Sequence, residues 1–190
     1  MDGPVLETPR LILRPTAPED FEPWAAFAAD EATMRHLGGA QARSTAWRGF
    51  MSVAGAWTMA GYSMFSAVEK ASGRWVGRLG PWQPADWPGT EVGWGVIRDC
   101  WGLGYATEGA TAAIDWAFDA LGWTEVIHCI APANFASQNV ARRLGSNLLR
   151  SGLLPAPYDD HPVDIWGQSR EAWRARRMAA NSLAAAGGPA

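Results

Sequence analysis

Residues 91–121 carry the pattern that most restricts this chain. An alternating run, Glu91-Val92-Gly93-Trp94-Gly95-Val96-Ile97, is followed by Arg98-Asp99-Cys100-Trp101-Gly102-Leu103-Gly104-Tyr105-Ala106-Thr107-Glu108. This reads as strand, glycine loop, helix. Val92, Trp94 and Val96 share one face of a period-2 strand, whereas Ala106, Ala110, Ala113, Ile114, Ala117, Phe118 and Leu121 recur at helical spacing. Gly102 and Gly104 remove side chains where the helix begins. That bares unpaired backbone N–H groups at the positive end of a helix dipole, an arrangement suited to phosphate or pyrophosphate oxygens. The competing reading is a tight turn that needs only glycine's conformational freedom. Two nucleotide loops are set aside, because the stretch lacks a Gly-Lys-Ser/Thr ending and has no third glycine or downstream acid at Rossmann spacing.

At 190 residues, 48% hydrophobic and 18% charged, the chain predicts one soluble domain over 8–180, with a disordered tail over 181–190. A net charge of −3 argues against nucleic acid as a partner. The twelve tryptophans are expected in the core or lining a groove. Cys100 and Cys129 are too few and too far apart for a metal cluster, so no metal is expected. Nothing resembles a secretion signal or a membrane span, which makes a reducing cytoplasm the default location.

In chain order, Arg10–Arg14 predicts a short strand, and Thr16-Ala17-Pro18-Glu19 has capping-box spacing with Thr16 as the N-cap. Helical pieces are expected to Asp30, over Glu31–Leu37, and from a Ser44 or Thr45 cap to Gly61. Tyr62–Val68 and Arg74–Gly80 form a hairpin, Pro81–Gly89 a loop, and Glu125–Ala131 a central strand. A short helix over Ala136–Leu144 ends at Gly145, two last strands cover Asn147–Ser151 and Val163–Gln168, and Arg170–Ala180 is a helical tail.

Trp101-Gly102-Leu103-Gly104-Tyr105-Ala106 resembles the acetyl-CoA loop of the GNAT superfamily of N-acetyltransferases, usually Arg/Gln-x-x-Gly-x-Gly/Ala. With Trp101 in first position and Ala-Thr-Glu following, it looks most like the branch that acetylates the N-terminal amino group of ribosomal proteins. The segment Asn134-Phe135-Ala136-Ser137, running on to Leu144-Gly145 about thirty residues beyond the loop, is a second resemblance to that branch. The resemblance implies an α+β fold: a mixed, mostly antiparallel sheet of about seven strands flanked by helices, with splayed strands forming the CoA cleft.

The resemblance also implies roles. Acetyl-CoA is the cosubstrate, and the acceptor is a primary amine, either a protein N-terminus or a small molecule; a homodimer is open. Backbone groups of Val96 and Arg98 would bond the pantetheine arm, with an N–H near Val96 stabilising the oxyanion. Gly102, Leu103, Gly104, Tyr105 and Ala106 would hold the pyrophosphate, with Thr107 adding a hydroxyl. Asn134 would meet the pantetheine amides, and Asn139 and Arg142 the adenosine end. An ammonium acceptor must lose a proton before it attacks a thioester, and Glu91 is the candidate base. Its competing reading is a solvated strand-edge glutamate. Ser137 would donate to the departing sulfur, or else cap its helix. His161, beside Asp159 and Asp160, is an alternative base, and Trp24, His36 and Trp47 are candidate acceptor contacts; His128 reads as a satisfied core histidine. The alternative function is a non-catalytic acyl-CoA-binding module.

Overall fold

The computed structural model describes residues 3–186. The chain opens with strands β1 (Leu6–Glu7) and β2 (Leu11–Arg14), then a 3-10 turn over Pro18–Asp20 and helices α1 (Phe21–Ala29), α2 (Glu31–Met34) and α3 (Arg43–Met59). Strands β3 (Phe65–Glu69), β4 (Trp75–Trp82) and β5 (Glu91–Val96) lead through a 3-10 turn, Arg98–Cys100, into α4 (Tyr105–Asp119). After β6 (Glu125–Ile130) and α5 (Phe135–Leu144), strands β7 (Asn147–Leu153) and β8 (Pro162–Ser169) precede α6 (Arg170–Ala186).

The strands form one eight-stranded sheet in the order β1-β2-β3-β4-β5-β6-β8-β7. All neighbouring pairs are antiparallel except β5 and β6, which run parallel and meet at a single register position, Glu91 opposite Ile127. Beyond that rung the two strands diverge. The added strand relative to the expected seven is β1, whose two residues pair Leu6 with Leu13 and Glu7 with Ile12.

Helix α4 packs on one face of the sheet, where Leu79, Val92 and Ile114 are wholly buried. Each such side chain stabilises the fold by roughly 1.5–3 kcal/mol. Gly109 permits the approach, since a Cβ there would stand 2.4 Å from Leu79 Cδ2. The opposite face lies under α1, α2 and α3, through Trp24, Phe27, Met34 and Phe50.

Three local expectations are corrected. The first helical turn is capped one residue later than predicted: Ala17 occupies the N-cap, and the Asp20 carboxylate, not Glu19, accepts its backbone N–H at 2.9 Å. Asp20 is fixed there by Arg14, with bonds of 2.7 and 2.7 Å, and by the Ser66 hydroxyl at 2.7 Å. Helix α3 starts at Arg43 from Ala42, ahead of the predicted Ser44 or Thr45 caps. Helix α6 continues through Ala186, so residues 181–186 are helical where a disordered tail was expected; alanine's high helix propensity accounts for it. The remainder of that predicted tail, 187–190, lies outside the described residues.

Candidate active site

The loop between β5 and α4 adopts a shape that only glycine takes without strain at two places: Gly102 has φ +77° and Gly104 φ +85°. Nothing lies within 4 Å of where a Cβ on Gly102 would stand. The loop is braced from outside. Arg10 Nη1 donates to the Leu103 carbonyl at 2.9 Å and its Nε to Glu108 Oε2 at 2.6 Å, while the Thr8 hydroxyl donates to Glu108 Oε1 at 2.6 Å. Among the described residues, the backbone N–H groups of Gly102, Gly104, Tyr105, Ala106 and Thr107 find no partner, and that of Leu103 reaches only the Cys100 carbonyl at 3.4 Å. These amides converge at the start of α4, where helix geometry leaves them unpaired.

The strand feeding this loop is satisfied on one edge only. In the β4–β5 ladder, Ile97 N–H bonds the Val76 carbonyl at 2.9 Å, so Val96, Trp94 and Val92 fall in the non-bonded pairs and turn their backbone groups toward β6. Two of the carbonyls are taken by side chains: Val92 accepts from His128 Nδ1 at 2.7 Å, and Val96 from the Trp101 indole N–H at 2.8 Å. The Val96 carbonyl is therefore engaged within the protein, and the Arg98 carbonyl likewise accepts from Trp101 N–H at 3.1 Å, so of the backbone groups expected to meet a ligand the N–H groups are the ones left without a partner among the described residues. The N–H of Val96 and both backbone groups of Trp94 face the divergence between β5 and β6.

Helix α5 supplies the other wall. Asn134 is its N-cap, with Oδ1 accepting the Ser137 N–H at 3.1 Å. Ser137 thus loses its ordinary capping role; its Oγ accepts from the Trp94 indole at 3.3 Å. Asn139 is exposed on the far side of α5, accepting from Arg142 Nη1 at 2.9 Å.

On the α1–α3 side the divergence opens into a cavity of about 720 Å³ whose walls include Trp24, His36, Glu91, Trp94, Ser137 and His161. Trp47 is not among them: it is 47% exposed and packs against Phe21 and Phe50 on the outer surface, so it is not a candidate acceptor contact. His161 is exposed and paired with Asp160. His128 is buried with both ring nitrogens bonded, Nδ1 donating to Val92 and Nε2 accepting from the Ser146 hydroxyl at 3.0 Å; burial lowers its pKa to about 4 and keeps it neutral.

Glu91 is 6% exposed, which removes its reading as a solvated edge residue. Burial raises its pKa to about 7, opposed by the Cys129 N–H at 3.0 Å and the Trp87 indole N–H at 2.6 Å. A buried carboxyl poised near neutrality beside a cavity is suited to taking or giving a proton. The sequence points to neither Trp87, Arg78 nor Arg10. Trp87 sits in a loop with no periodicity, and Arg10 meets Glu108 only through tertiary folding. Arg78 had a legible signal, a charge at an inward position of a half-buried strand. Among the described residues no group of three or more His, Cys, Asp or Glu is placed to hold a metal ion, and no helix is long and apolar enough to cross a membrane.

Comparison with known proteins returns a consistent match. An acetyltransferase (GNAT) domain model matches residues 10–147. The uncharacterized protein YkkB of Bacillus subtilis is 34% identical over 87 residues, 45% of this chain and 51% of that protein, so the chain spans about half of its length. The uncharacterized N-acetyltransferase YoaA of Bacillus subtilis is 28% identical over 181 residues, 85% of this chain and 96% of that protein. An acetyltransferase from Agrobacterium tumefaciens superposes with a TM-score of 0.79 at 29% identity, covering 90% of this chain and 96% of that one. The ribosomal L7/L12 α-N-protein acetyltransferase RimL, solved in complex with coenzyme A, shares the fold at a TM-score of 0.72 and 15% identity, over 89% of this chain and 99% of that one.

Proposed function

We propose that this chain, which belongs to the acetyltransferase (GNAT) family, moves the acetyl group of acetyl-CoA to a primary amine by direct attack while both substrates are bound. The observation that carries this reading is continuity. Strand β5 leads from Glu91 in the cavity, past its divergence from β6, to the bare amides at 102–107, so one strand sets a poised carboxyl at one end and amides suited to a diphosphate at the other. RimL, a neighbour in fold, is by its own description a protein N-acetyltransferase bound to coenzyme A, which supports the cosubstrate.

The residues present fit that cosubstrate. Gly102, Gly104, Tyr105, Ala106 and Thr107 offer N–H groups to a pyrophosphate, with Leu103 less available, and the N–H of Arg98, the NH2 of Asn134 and the Trp94 backbone offer partners to the pantetheine amides. Asn139, exposed on α5, is the candidate for the adenosine end; Arg142 packs over Trp166 and bonds Gln138 and Asn139 instead. Bound there, acetyl-CoA supplies an acyl group already activated as a thioester.

The chain's own groups then divide the work. Glu91, partly ionised at neutral pH, takes the proton from the acceptor ammonium, directly or through water. The Val96 N–H, aimed into the divergence, stabilises negative charge building on the carbonyl oxygen. Ser137, freed from capping and oriented by Trp94, donates its hydroxyl proton in a hydrogen bond to the departing sulfur. Trp24, His36 and His161 contact the acceptor from the cavity walls. A cytoplasmic setting, where acetyl-CoA and amines meet, belongs to the same proposal.

The test is to incubate the protein with acetyl-CoA and a panel of amines and N-terminal peptides while following free thiol. Thiol release with one acceptor class supports the reading. Tight CoA binding with no release on any acceptor points instead to a non-catalytic acyl-CoA-binding module, and no CoA binding defeats both.

A further inference from the structure

Arg78 lines the acceptor cavity from the middle of β4 without a direct ion pair among the described residues, Glu91 acting on it only across a distance. Its Nε is buried with no hydrogen-bond partner among the described residues, and Nη1 reaches only the weakly accepting thioether of Met64, at 2.6 Å. The guanidinium plane lies against two aromatic rings, 5.1 Å from the centre of Trp24 and 5.9 Å from that of Phe27. No carboxylate stands within 4 Å of it among the described residues, although Arg10, Arg14, Arg43, Arg74, Arg174 and Arg177 all have one. Burial presses its pKa below the usual arginine range, so the folded chain holds this cation at a cost.

A half-buried guanidinium beside an open cavity is stabilised most by a planar anion, which accepts two parallel N–H bonds. The position of Arg78 relative to Glu91 narrows the ligand. In the β4–β5 register Trp82 stands opposite Glu91 and Arg78 opposite Gly95, so Arg78 and Glu91 project from the same sheet face on adjacent strands. Met64 bridges the space between them: its Sδ accepts from Arg78, and its Cε lies 2.9 Å from where a Cβ on Gly93 would stand, a position itself 3.5 Å from Glu91 Oε1. Both groups therefore face the same cavity from one side of the sheet, with Met64 between them, so a single ligand in that cavity can meet both.

We infer that the acceptor carries a carboxylate as well as its amine, as a free amino acid does, and that Arg78 receives the carboxylate while Glu91 receives the ammonium. This rests on the acetyl-transfer reading of the same cavity. It selects among the acceptors that reading leaves open: polyamines and amino-sugars offer Arg78 nothing, and the first residue of a long protein has its carboxyl tied up in a peptide bond. Arg78 and Glu91 face opposite charges on one small zwitterion, with Arg35 as a second cation on the cavity wall, and Trp24 and Tyr158 bound the space left for its body.

The test pairs each amino acid with its decarboxylated amine: glycine with methylamine, alanine with ethylamine, methionine with 3-(methylthio)propylamine, phenylalanine with 2-phenylethylamine. Thiol release from acetyl-CoA gives kcat/KM for each. Binding of the corresponding N-acetyl products, with and without the carboxylate, is measured by calorimetry and needs no turnover. The expected result is a preference for the carboxylate-bearing member of the best pair of about tenfold or more in both measurements. Arg78→Met brings both ratios to about one, and Arg78→Lys, which keeps a charge and guards against a folding defect in the first variant, retains a preference. A carboxylate-free amine as the best acceptor, equal binding of the two products, no binding of either, or a preference that survives in Arg78→Met overturns the inference. An Arg78-dependent binding preference with no acetyl transfer to any amine sustains the carboxylate site at Arg78 and defeats the transfer reading.

Discussion

The Trp87 indole N–H donates to Glu91 Oε2 at 2.6 Å, so a residue from the irregular loop before β5 holds the carboxylate that β5 delivers to the cavity. The bond favours the ionised form, as does the Cys129 N–H at 3.0 Å, yet burial outweighs both and the pKa stands at about 7. If Glu91 is the base, kcat/KM rises with pH through about 7 and levels above it. Trp87→Phe removes a donor to the charged form, so the rising limb moves to higher pH. An unshifted limb in a pH–rate profile would exclude this pairing as the control on the base.

The same group sets a pH dependence of stability. Its pKa is raised above the unfolded value of 4.5, so the stability that protonated Glu91 supports is complete below about 4.5 and is lost as pH rises through about 7. The loss is on the order of 3 kcal/mol. Glu91→Gln abolishes this component, so denaturant melts of wild type and variant diverge progressively between pH 4.5 and 7.5. His128 acts at the acid end with opposite sign. Its pKa is lowered to about 4, so the stability it confers is present above about 6.5 and lost as pH falls through about 4.

Ser137 and Asn134 separate chemistry from folding. Asn134 caps α5, so Asn134→Ala lowers stability by about 1 kcal/mol. Ser137→Ala removes only a long 3.3 Å contact with Trp94, leaving the melting temperature nearly unchanged, while kcat falls about tenfold to a hundredfold if its hydroxyl hydrogen-bonds the charge on the leaving sulfur. Paired thermal melts and thiol-release rates check both halves.

At Gly102 a methyl group meets no protein atom, but the backbone at φ +77° resists it. Gly102→Ala therefore costs about 1 kcal/mol of stability and weakens CoA binding by tenfold or more, because the methyl enters the space the amides surround. Calorimetric titration with CoA measures the second effect against a thermal melt for the first.

Much of this was legible before the fold was known. The alternation of Val92, Trp94 and Val96 and the glycines at 102 and 104 placed the strand, loop and helix, because period and backbone freedom are local properties. The Asn134 to Gly145 segment placed α5 for the same reason. The cap at Thr16 was misplaced because Asp20 is chosen by Arg14 and Ser66, partners that only tertiary structure brings together. Trp47 misled because a helix with apolar residues on more than one side does not announce which side faces a cavity. The poise of Glu91 comes from burial and from Cys129, a contact 38 residues away in sequence, and no pattern in the chain encodes it.

The lone rung joining Glu91 to Ile127 gives the sheet a mechanical character as well as an opening. Two rafts of strands are lashed at one corner, with both backbone groups of Trp94 and the N–H of Val96 left unpaired among the described residues. A molecule threaded there through its own amides would serve as a missing strand, knitting the rafts together. Substrate would then be a structural member of the protein, and slowed amide exchange along residues 92–96 on adding CoA would register that splint.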